Sequence, residues 1–322
     1  MAEFYLEFEK PILDMEKRLE ELKRLSVGSK QDLTREIDEL EAQIGEVKTK
    51  VYSKLTPWQR VQIARHPDRP LTRDYIELIF HDFVEMHGDR LYGDDKAIIG
   101  GPAFLDGRAV MVIGQQKGHG TKERVACNFG SPHPEGYRKA LRLMKVAEKF
   151  KMPVITLIDT QGAYPGVGAE ERGQAWAIAE NLREMSRLNV PVIAVNIGEG
   201  GSGGALAIGV ADRLLMLENS WYSVISPEGC ASILYKDAGK APEAAASLKM
   251  TAEDLKKHGL VDEIIREPVG GAHRAPNETA EALHKVINKH LERLTSLSVR
   301  ELLDKRYERL RAVGAYEEPT KS

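Results

Sequence analysis

The segment VIAVNIGEGGSGGALAIG, residues 192–209, contains a spacing found in dinucleotide-binding loops. Gly198, Gly200 and Gly203 match G-x-G-x-x-G, and Glu218 follows at the distance of a ribose-binding acid. However, only fifteen residues, the glycines included, separate the strand predicted to end at Ile197 from the next strand. Because a dinucleotide-binding unit needs a crossover helix within roughly thirty residues, this match is weak.

The same segment matches a second pattern, the G-x-S-x-G of a hydrolase nucleophile elbow, through Gly200, Ser202 and Gly204. An elbow serine directly follows its strand, whereas Ser202 stands five residues past Ile197, so we expect a slack loop between them. Three residues in the right chain order lie in no recognisable catalytic setting: Asp212, Asp262 and His273. We therefore expect Ser202 to be a turn residue or a helix N-cap.

A third interpretation uses only the backbone of these glycines. A glycine loop that ends at a helix N-terminus directs free N–H groups to one point, where a developing negative oxygen can bind. Gly203 and Gly204 are the best placed donors. A second glycine-rich loop follows the preceding predicted strand, with glycines on both sides of Tyr164-Pro165: Gly162, Gly166 and Gly168. Two such loops predict an oxyanion hole of main-chain amides.

Other polar residues leave alternatives open. Asp159, at a predicted strand end, is either a catalytic carboxylate or, more in keeping with its position, a loop-ordering residue. Glu170-Glu171-Arg172 begins a helix, where carboxylates are favoured in any case. The loop GQQKGHGTKER binds a phosphate or an acidic partner, or is simply solvated; its charged residues are Lys117, His119, Lys122 and Arg124. The nine histidines show no ligand spacing, so we expect no metal site.

The composition is that of a soluble globular protein. Of the 322 residues, 30% are charged and 42% hydrophobic, and 46 Lys and Arg stand against 49 Asp and Glu. This balance favours neither nucleic-acid nor membrane binding. Two distant cysteines, Cys127 and Cys230, predict reduced thiols, and we see no signal peptide or membrane span. We expect a cytoplasmic protein.

The elements that must position these loops divide into two predicted regions. Heptad-like apolar spacing on either side of the turn SVGSK predicts a helical hairpin over residues 1–55, packing on itself or on a partner. Residues 56–318 alternate strands and helices, which predicts α/β structure with mostly parallel strands. Asp106-Gly107 predicts a β-hairpin turn. An amphipathic helix from about Asn277 is expected to close the chain.

Long blocks of this sequence are familiar: DTQGAYPGVGAEERGQAWAIAENL, GEGGSGGALAIGVADRLLMLENSWYSVISPEGCASILYKD and GLVDEII. Together with FEKPILDMEKRLEEL and GGAHR they closely resemble the carboxyltransferase alpha subunits of bacterial-type acetyl-CoA carboxylase, over nearly the whole chain. GLVDEII is also similar to the crotonase-like superfamily. The implied fold is a crotonase-like (ClpP/crotonase) spiral of ββα units with an N-terminal helical hairpin and a C-terminal helix.

The resemblance implies a reaction and its partners. Family members move a carboxyl group from carboxybiotin, held on a biotin carboxyl carrier protein, to acetyl-CoA and so form malonyl-CoA for fatty acid biosynthesis. It implies an α2β2 heterotetramer, whose beta subunit carries a four-cysteine zinc ribbon, and an association with biotin carboxylase. Zinc is expected on the partner only, since this chain has two cysteines. No cofactor is expected to be bound covalently here.

The resemblance also assigns the loops. Amides of Gly203, Gly204, Gly162 and Ala163 would stabilise the biotin enolate oxygen, which removes the need for a catalytic side chain. The expected walls of the carboxybiotin site are Tyr164, Pro165, Gly166 and Val167. Two alternatives remain open: a stand-alone enoyl-CoA hydratase or isomerase that uses Glu170 or Glu199, and a non-catalytic scaffold subunit.

Overall fold

The computed structural model describes residues 4–28 and 33–314. The strands are β1 (Ile98–Leu105), β2 (Arg108–Gln115), β3 (Val154–Thr160), β4 (Val192–Gly201), β5 (Arg213–Leu217), β6 (Trp221–Ser223) and β7 (Glu263–Ile265). The helices are α1 (Lys10–Gly28), α2 (Thr34–Tyr52), α3 (Pro57–Ala64), α4 (Thr72–Ile79), α5 (Gly120–Ala126), α6 (Pro134–Lys149), α7 (Val167–Glu171), α8 (Gln174–Met185), α9 (Ser202–Leu206), α10 (Pro227–Leu234), α11 (Ala241–Leu248), α12 (Ala252–Lys257), α13 (Pro276–Thr295) and α14 (Val299–Arg311). None of these described helices has the length and apolar character needed to cross a membrane.

One seven-stranded sheet organises the chain, in the order β1-β2-β3-β4-β5-β7, with β6 paired to β4. The β1–β2 pair is antiparallel, and all other pairs are parallel. The predicted mostly parallel α/β sheet is therefore confirmed. Because the central strands run in one direction, the loops after β3 and β4 emerge at the same edge of the sheet.

The sheet is covered on both faces, as its continuously apolar strands require. Alternate β4 residues point to opposite sides: Ile193 and Val195 pack in the cluster with α4 and α13, whereas Val192 and Ala194 pack with α6 and α12. The turn predicted at Asp106-Gly107 is confirmed, since Leu105 pairs with Arg108 across it. Both turn residues have positive φ, 48° and 77°, as a two-residue hairpin requires.

The N-terminal helices α1 and α2 pack on each other through the predicted apolar stripe. Ile12, Leu40 and Ile44 are buried there, and Lys48 pairs with Glu16 at 2.6 Å. Within this chain the stripe therefore packs between α1 and α2, and packing on a partner stays a prediction. Residues 29–32, including part of the predicted SVGSK turn, lie outside the described residues, as do 315–318. The domain boundary between 55 and 56 stays a prediction.

Two helix predictions were wrong. Glu170-Glu171-Arg172, predicted to begin a helix, instead ends the short helix α7, and the next helix, α8, begins at Gln174. The helix α13 does not close the chain, because Ser298 caps a further helix by accepting from the N–H of Glu301 while the Glu301 carboxylate accepts from the N–H of Ser298. This α14 carries Arg306, which is buried and pairs with Asp212 at 2.7 Å.

Candidate active site

The glycine segment after Ile197 is a strand. Its residues 199–201 pair with β6, with Glu199 opposite Trp221 and Gly201 opposite Ser223, and the whole of β4 is buried. The predicted slack loop is therefore wrong. Glycine has little intrinsic preference for strands, and the pairing is supplied by β6, some twenty residues further along.

This extension changes the position of Ser202, which directly follows the strand and begins α9 with φ at 56°. The sharp strand-to-helix turn therefore has the geometry of a nucleophile elbow, although the sequence pattern argued against an elbow here. No base accompanies it: the Ser202 hydroxyl has no hydrogen-bond partner among the described residues, and Ser202 is not the N-cap, which is Gly201. The three residues considered as partners are engaged elsewhere, Asp212 with Arg306, Asp262 with Arg309 and His273 against His66.

The dinucleotide interpretation is excluded by the same strand. Gly198 and Gly200 lie within β4 and are not part of a phosphate-binding loop. Glu218, the expected ribose-binding acid, pairs with Arg266 at 2.8 Å.

The two glycine-rich segments meet face to face. A Cβ on Gly204 would lie 2.4 Å from the Ala163 nitrogen and 2.7 Å from the Gly162 carbonyl carbon. A Cβ on Gly201 would lie 2.2 Å from the Gln161 carbonyl oxygen. These distances are too short for any side chain, so the glycines of β4 and α9 allow the loop after β3 to pack directly on them.

The meeting point holds amide donors, but not all of those predicted. The Gly162 N–H already donates to Thr160 Oγ1 at 3.0 Å. The Ala163 N–H has no acceptor among the described residues. Gly203 and Gly204 are the second and third residues of α9, where N–H groups have no acceptor inside the helix. Of the four predicted donors, Ala163, Gly203 and Gly204 are therefore those whose N–H groups have no acceptor among the described residues.

A cavity of about 600 Å³ opens beside this point. Its lining consists of Arg65, Ser131, Gln161, Gly162, Ala163, Pro165, Glu199, Ser226 and Glu228. Gly162, Ala163 and Pro165 were predicted. The other predicted residues do not line it: Gly203, Gly204, Tyr164, Gly166 and Val167. Tyr164 instead stacks on His133 with 4.2 Å between ring centroids, and Val167 is exposed on α7.

A charge network borders the cavity through Arg65, Glu199 and Glu228, and its other members, Lys117 and Asp159, lie outside the cavity lining. Lys117 Nζ lies 2.6 Å from Asp159 Oδ1 and 2.7 Å from Glu199 Oε2. Arg65 pairs with Glu199 at 2.6 Å and with Glu228 at 2.5 Å. Asp159 Oδ1 also accepts from the Glu199 N–H at 2.9 Å, across an irregular pairing of β3 with β4. The network therefore ties the end of β3 to the glycine extension of β4.

The ionisation of this network follows from burial and pairing. Burial raises the pKa of the Asp159 carboxyl, against the opposing effect of Lys117. Burial has the same effect on Glu199, but Lys117 and Arg65 outweigh it and hold the pKa of Glu199 below its ordinary value. The pKa of Lys117 is raised by the two carboxylates despite its burial. Asp159 binds Lys117 and accepts from the Glu199 N–H, which are the contacts expected of a loop-ordering residue.

The charged residues of the loop GQQKGHGTKER have different environments. Lys117 is occupied by the two carboxylates, and the other three residues lie outside the network. His119 contacts Asp74 at 2.8 Å, and Lys122 is exposed on α5. Arg124 borders a smaller cavity of about 160 Å³. Sequence reasoning missed Arg65 and did not place Glu199 in this network; their contact spans 134 residues, so no local motif reports it.

Three residues far apart in the sequence form a cluster that ligand spacing did not reveal. Glu9, His66 and His273 each place a ligand atom within 4.8 Å of the others. The two imidazole rings are stacked, 3.9 Å apart and inclined by 17°. The expectation of no metal site stays a prediction.

Comparison with known proteins assigns this chain to a family. A family model described as acetyl co-enzyme A carboxylase carboxyltransferase-like matches residues 5–314. The chain belongs to this family. Two curated relatives, both named acetyl-coenzyme A carboxylase carboxyl transferase subunit alpha, are similar over almost their whole length. The one from Geobacter metallireducens is 56% identical over 98% of this chain and 99% of its own. The one from Halalkalibacterium halodurans is 58% identical over 97% and 96%. The resemblance found in the motifs is confirmed.

A solved structure supports the fold. The crystal structure of the transcarboxylase 12S hexamer with methylmalonyl-coenzyme A and methylmalonic acid has a TM-score of 0.54 at 23% identity. The match covers 67% of this chain and 41% of that chain, so the chain spans less than half of the transcarboxylase chain. At this identity the likeness concerns the fold, and the predicted α/β fold class is confirmed.

Proposed function

We propose that this chain is the alpha subunit of an acetyl-CoA carboxylase carboxyltransferase. It transfers the carboxyl group of carboxybiotin to acetyl-CoA, which yields malonyl-CoA, the first step of fatty acid biosynthesis. The match of the whole chain to alpha subunits supports this proposal. The observation that carries it in the structure is the free Ala163 N–H packed against Gly204 at the wall of a cavity.

The cavity suits the proposed substrate. Its volume of about 600 Å³ lies within the range of small-molecule sites, and its wall carries the backbone of residues 161–163. Carboxybiotin, when bound, supplies the activated carboxyl group. In this proposal the Ala163, Gly203 and Gly204 amides donate to the oxygen on which negative charge develops, and Pro165 closes one side of the ring site.

The described residues offer no unpaired carboxylate at this point, and the proposed reaction needs no acid or base from this chain. The carboxylates nearest the cavity, Glu199 and Glu228, are both paired with Arg65. Their pairing also disfavours a stand-alone hydratase, because an acid that protonates a substrate needs a raised pKa and that of Glu199 is lowered. Glu170, the other candidate, is exposed and does not line the cavity.

We further propose that the site becomes complete only with other chains. A beta subunit would supply most of the acetyl-CoA contacts and hold the zinc, in an α2β2 heterotetramer. The biotin carboxyl carrier protein would deliver the substrate from biotin carboxylase. The two free thiols, Cys127 and Cys230, are compatible with work in the cytoplasm.

Reconstitution tests the proposal. The purified chain alone should give no malonyl-CoA from carboxybiotin and acetyl-CoA, and addition of a zinc-containing beta subunit should restore turnover. Robust turnover by the isolated chain, or none by the assembled complex, would overturn it. If the chain has an enoyl-CoA hydratase activity that is lost in Glu199→Gln, the stand-alone hydratase is favoured. If the complex stays active after substitutions that disrupt both glycine-rich segments, the non-catalytic scaffold is favoured.

A further inference from the structure

Gln115, the last residue of β2, joins the two segments of the candidate site. Its side chain is completely buried. Its Nε2 donates to the Gly204 carbonyl oxygen at 2.8 Å, and its Oε1 accepts from the Asp159 N–H at 3.0 Å. Both polar atoms of one carboxamide are therefore bound to backbone groups, one at the start of α9 and one near the end of β3.

These two backbone groups lie close along the chain to the proposed amide donors. Gly204 is itself one of the proposed donors, and Asp159 precedes the loop that carries Ala163. β2 pairs with β3 and not with β4, so the Gln115 side chain reaches past the neighbouring strand to α9. The separation of the Ala163 and Gly204 amides therefore depends on a residue outside both segments.

The bridge is itself rigidly held. The Gln115 carbonyl oxygen accepts from Thr72 Oγ1 at 2.6 Å, which fixes the end of β2 to the first turn of α4. A side chain that is buried, bound at both ends and anchored at its own backbone has one available rotamer. Small displacements of such an element are transmitted to the groups it binds.

We propose that Gln115 is a positioning residue of the oxyanion hole, and this inference rests on the proposed carboxyltransferase function. Its carboxamide holds the Gly204 carbonyl group and the end of β3, and so keeps the Ala163 and Gly204 N–H groups at the separation in which both can donate to one oxygen. It touches no substrate. Its loss should therefore lower kcat and leave the KM for acetyl-CoA unchanged.

Two substitutions separate positioning from packing. Gln115→Met has a similar length but neither binds Gly204 nor accepts from Asp159. In Gln115→Glu the acceptor for the Asp159 N–H remains, whereas the donor to Gly204 exists only when the new carboxyl is protonated. Burial near Asp159 raises the pKa of such a carboxyl, so its protonation changes within an accessible pH range.

The matched control is the neighbouring Gln116, which is also buried. Its Oε1 accepts from the Arg73 N–H at 3.1 Å, away from both segments. Gln116→Glu keeps that acceptor. It therefore introduces a carboxyl group at the adjacent residue and leaves the hydrogen bonds of Gln115 unchanged. Its kcat and pH profile should follow the wild type.

The experiment measures carboxyl transfer by the complete complex between about pH 6 and about pH 9. We expect Gln115→Met to lower kcat by about 10- to 100-fold with an unchanged KM. The ratio of Gln115→Glu to wild-type activity should fall as the pH rises. The inference is overturned if the kcat of Gln115→Met is within about twofold of wild type. It is also overturned if the ratio of Gln115→Glu to wild-type activity does not change with pH. If Gln115→Met does not fold, this ratio alone decides.

The two proposals fail differently. A wild-type complex without transfer activity would overturn the proposed function. An active complex that loses activity on Gly204→Ala but not on Gln115→Met would leave the function standing and remove Gln115 from it.

Discussion

The two glycine-rich segments of the site, 161–168 and 198–204, look alike in sequence and differ in structure. The first is a partly exposed loop in which Gly162 has φ at 150° and no atom within 4 Å of its missing Cβ. The second is a fully buried strand followed by a helix start, in which added Cβ atoms at Gly201 and Gly204 would strike backbone. Glycine provides conformation at Gly162 and close approach at Gly201 and Gly204.

This difference explains how a backbone site is built. The second segment is held in place by paired strands and by buried charges, and the first rests on it through contacts that only glycine permits. Substitutions in the second segment should therefore be far more costly than those in the first.

The largest expected effect comes from the charge that holds the second segment. Lys117→Met leaves the buried Asp159 and Glu199 carboxylates without their shared cation, which should lower the free energy of unfolding by about 3–5 kcal/mol. Denaturant unfolding measures this. Lys122→Met, on the exposed face of α5, is the control and should change it by less than about 0.5 kcal/mol. A small effect of Lys117→Met would show that the network is not what anchors the strand.

Gly204→Ala should have the next largest effect, on catalysis. Its Cβ would displace the Ala163 amide, so kcat of the assembled complex should fall by about 100-fold or more. Gly168→Ala is the control in the first segment, because its Cβ would meet only the flexible end of Arg172. Thermal unfolding checks that both variants are folded. Equal activities of the two folded variants would contradict the contrast between the segments.

Gly162→Ala tests the conformational role of glycine in the first segment. Its φ of 150° is one that other residues rarely adopt, although space is available. We expect a loss of about 1–3 kcal/mol in the free energy of unfolding. An unchanged stability would mean that the loop shifts without cost, and the Ala163 amide would then not be held by it.

The smallest effect is a gain. Tyr137 is completely buried, its hydroxyl has no partner among the described residues, and it lies 3.0 Å from where a Gly204 Cβ would be. Tyr137→Phe removes an unsatisfied polar group and should raise the free energy of unfolding by about 1 kcal/mol. Tyr75→Phe, which also removes an unpartnered buried hydroxyl, should do the same away from the site. A loss of stability in Tyr137→Phe alone would reveal a bond that the hydroxyl makes.

Much of the fold followed from local patterns. The Asp106-Gly107 turn and the proline-led apolar runs of β3 and β4 were predictable because turn chemistry and continuous burial leave a local record. The glycine extension of β4 was not, since its strand character comes from pairing with β6. The elbow-like turn at Ser202 was missed for the same reason.

The backbone donors of the site were predictable from the sequence, whereas the contacts that hold them in place were not. Glycine loops ending at helices indicated backbone donors, and Ala163 and Gly204 do meet. The contacts that hold them are non-local: Lys117 reaches Glu199 across 82 residues. A lysine in a basic glycine loop has the same sequence signature whether it is solvated or buried between carboxylates.

The most direct test of the account is a structure of the assembled complex with a carboxybiotin analogue bound. We predict that the ureido oxygen lies within about 2.7–3.1 Å of the Ala163 nitrogen and of the Gly203 or Gly204 nitrogen. An oxygen bound instead to a side chain such as Arg65, with these amides facing solvent, would contradict it.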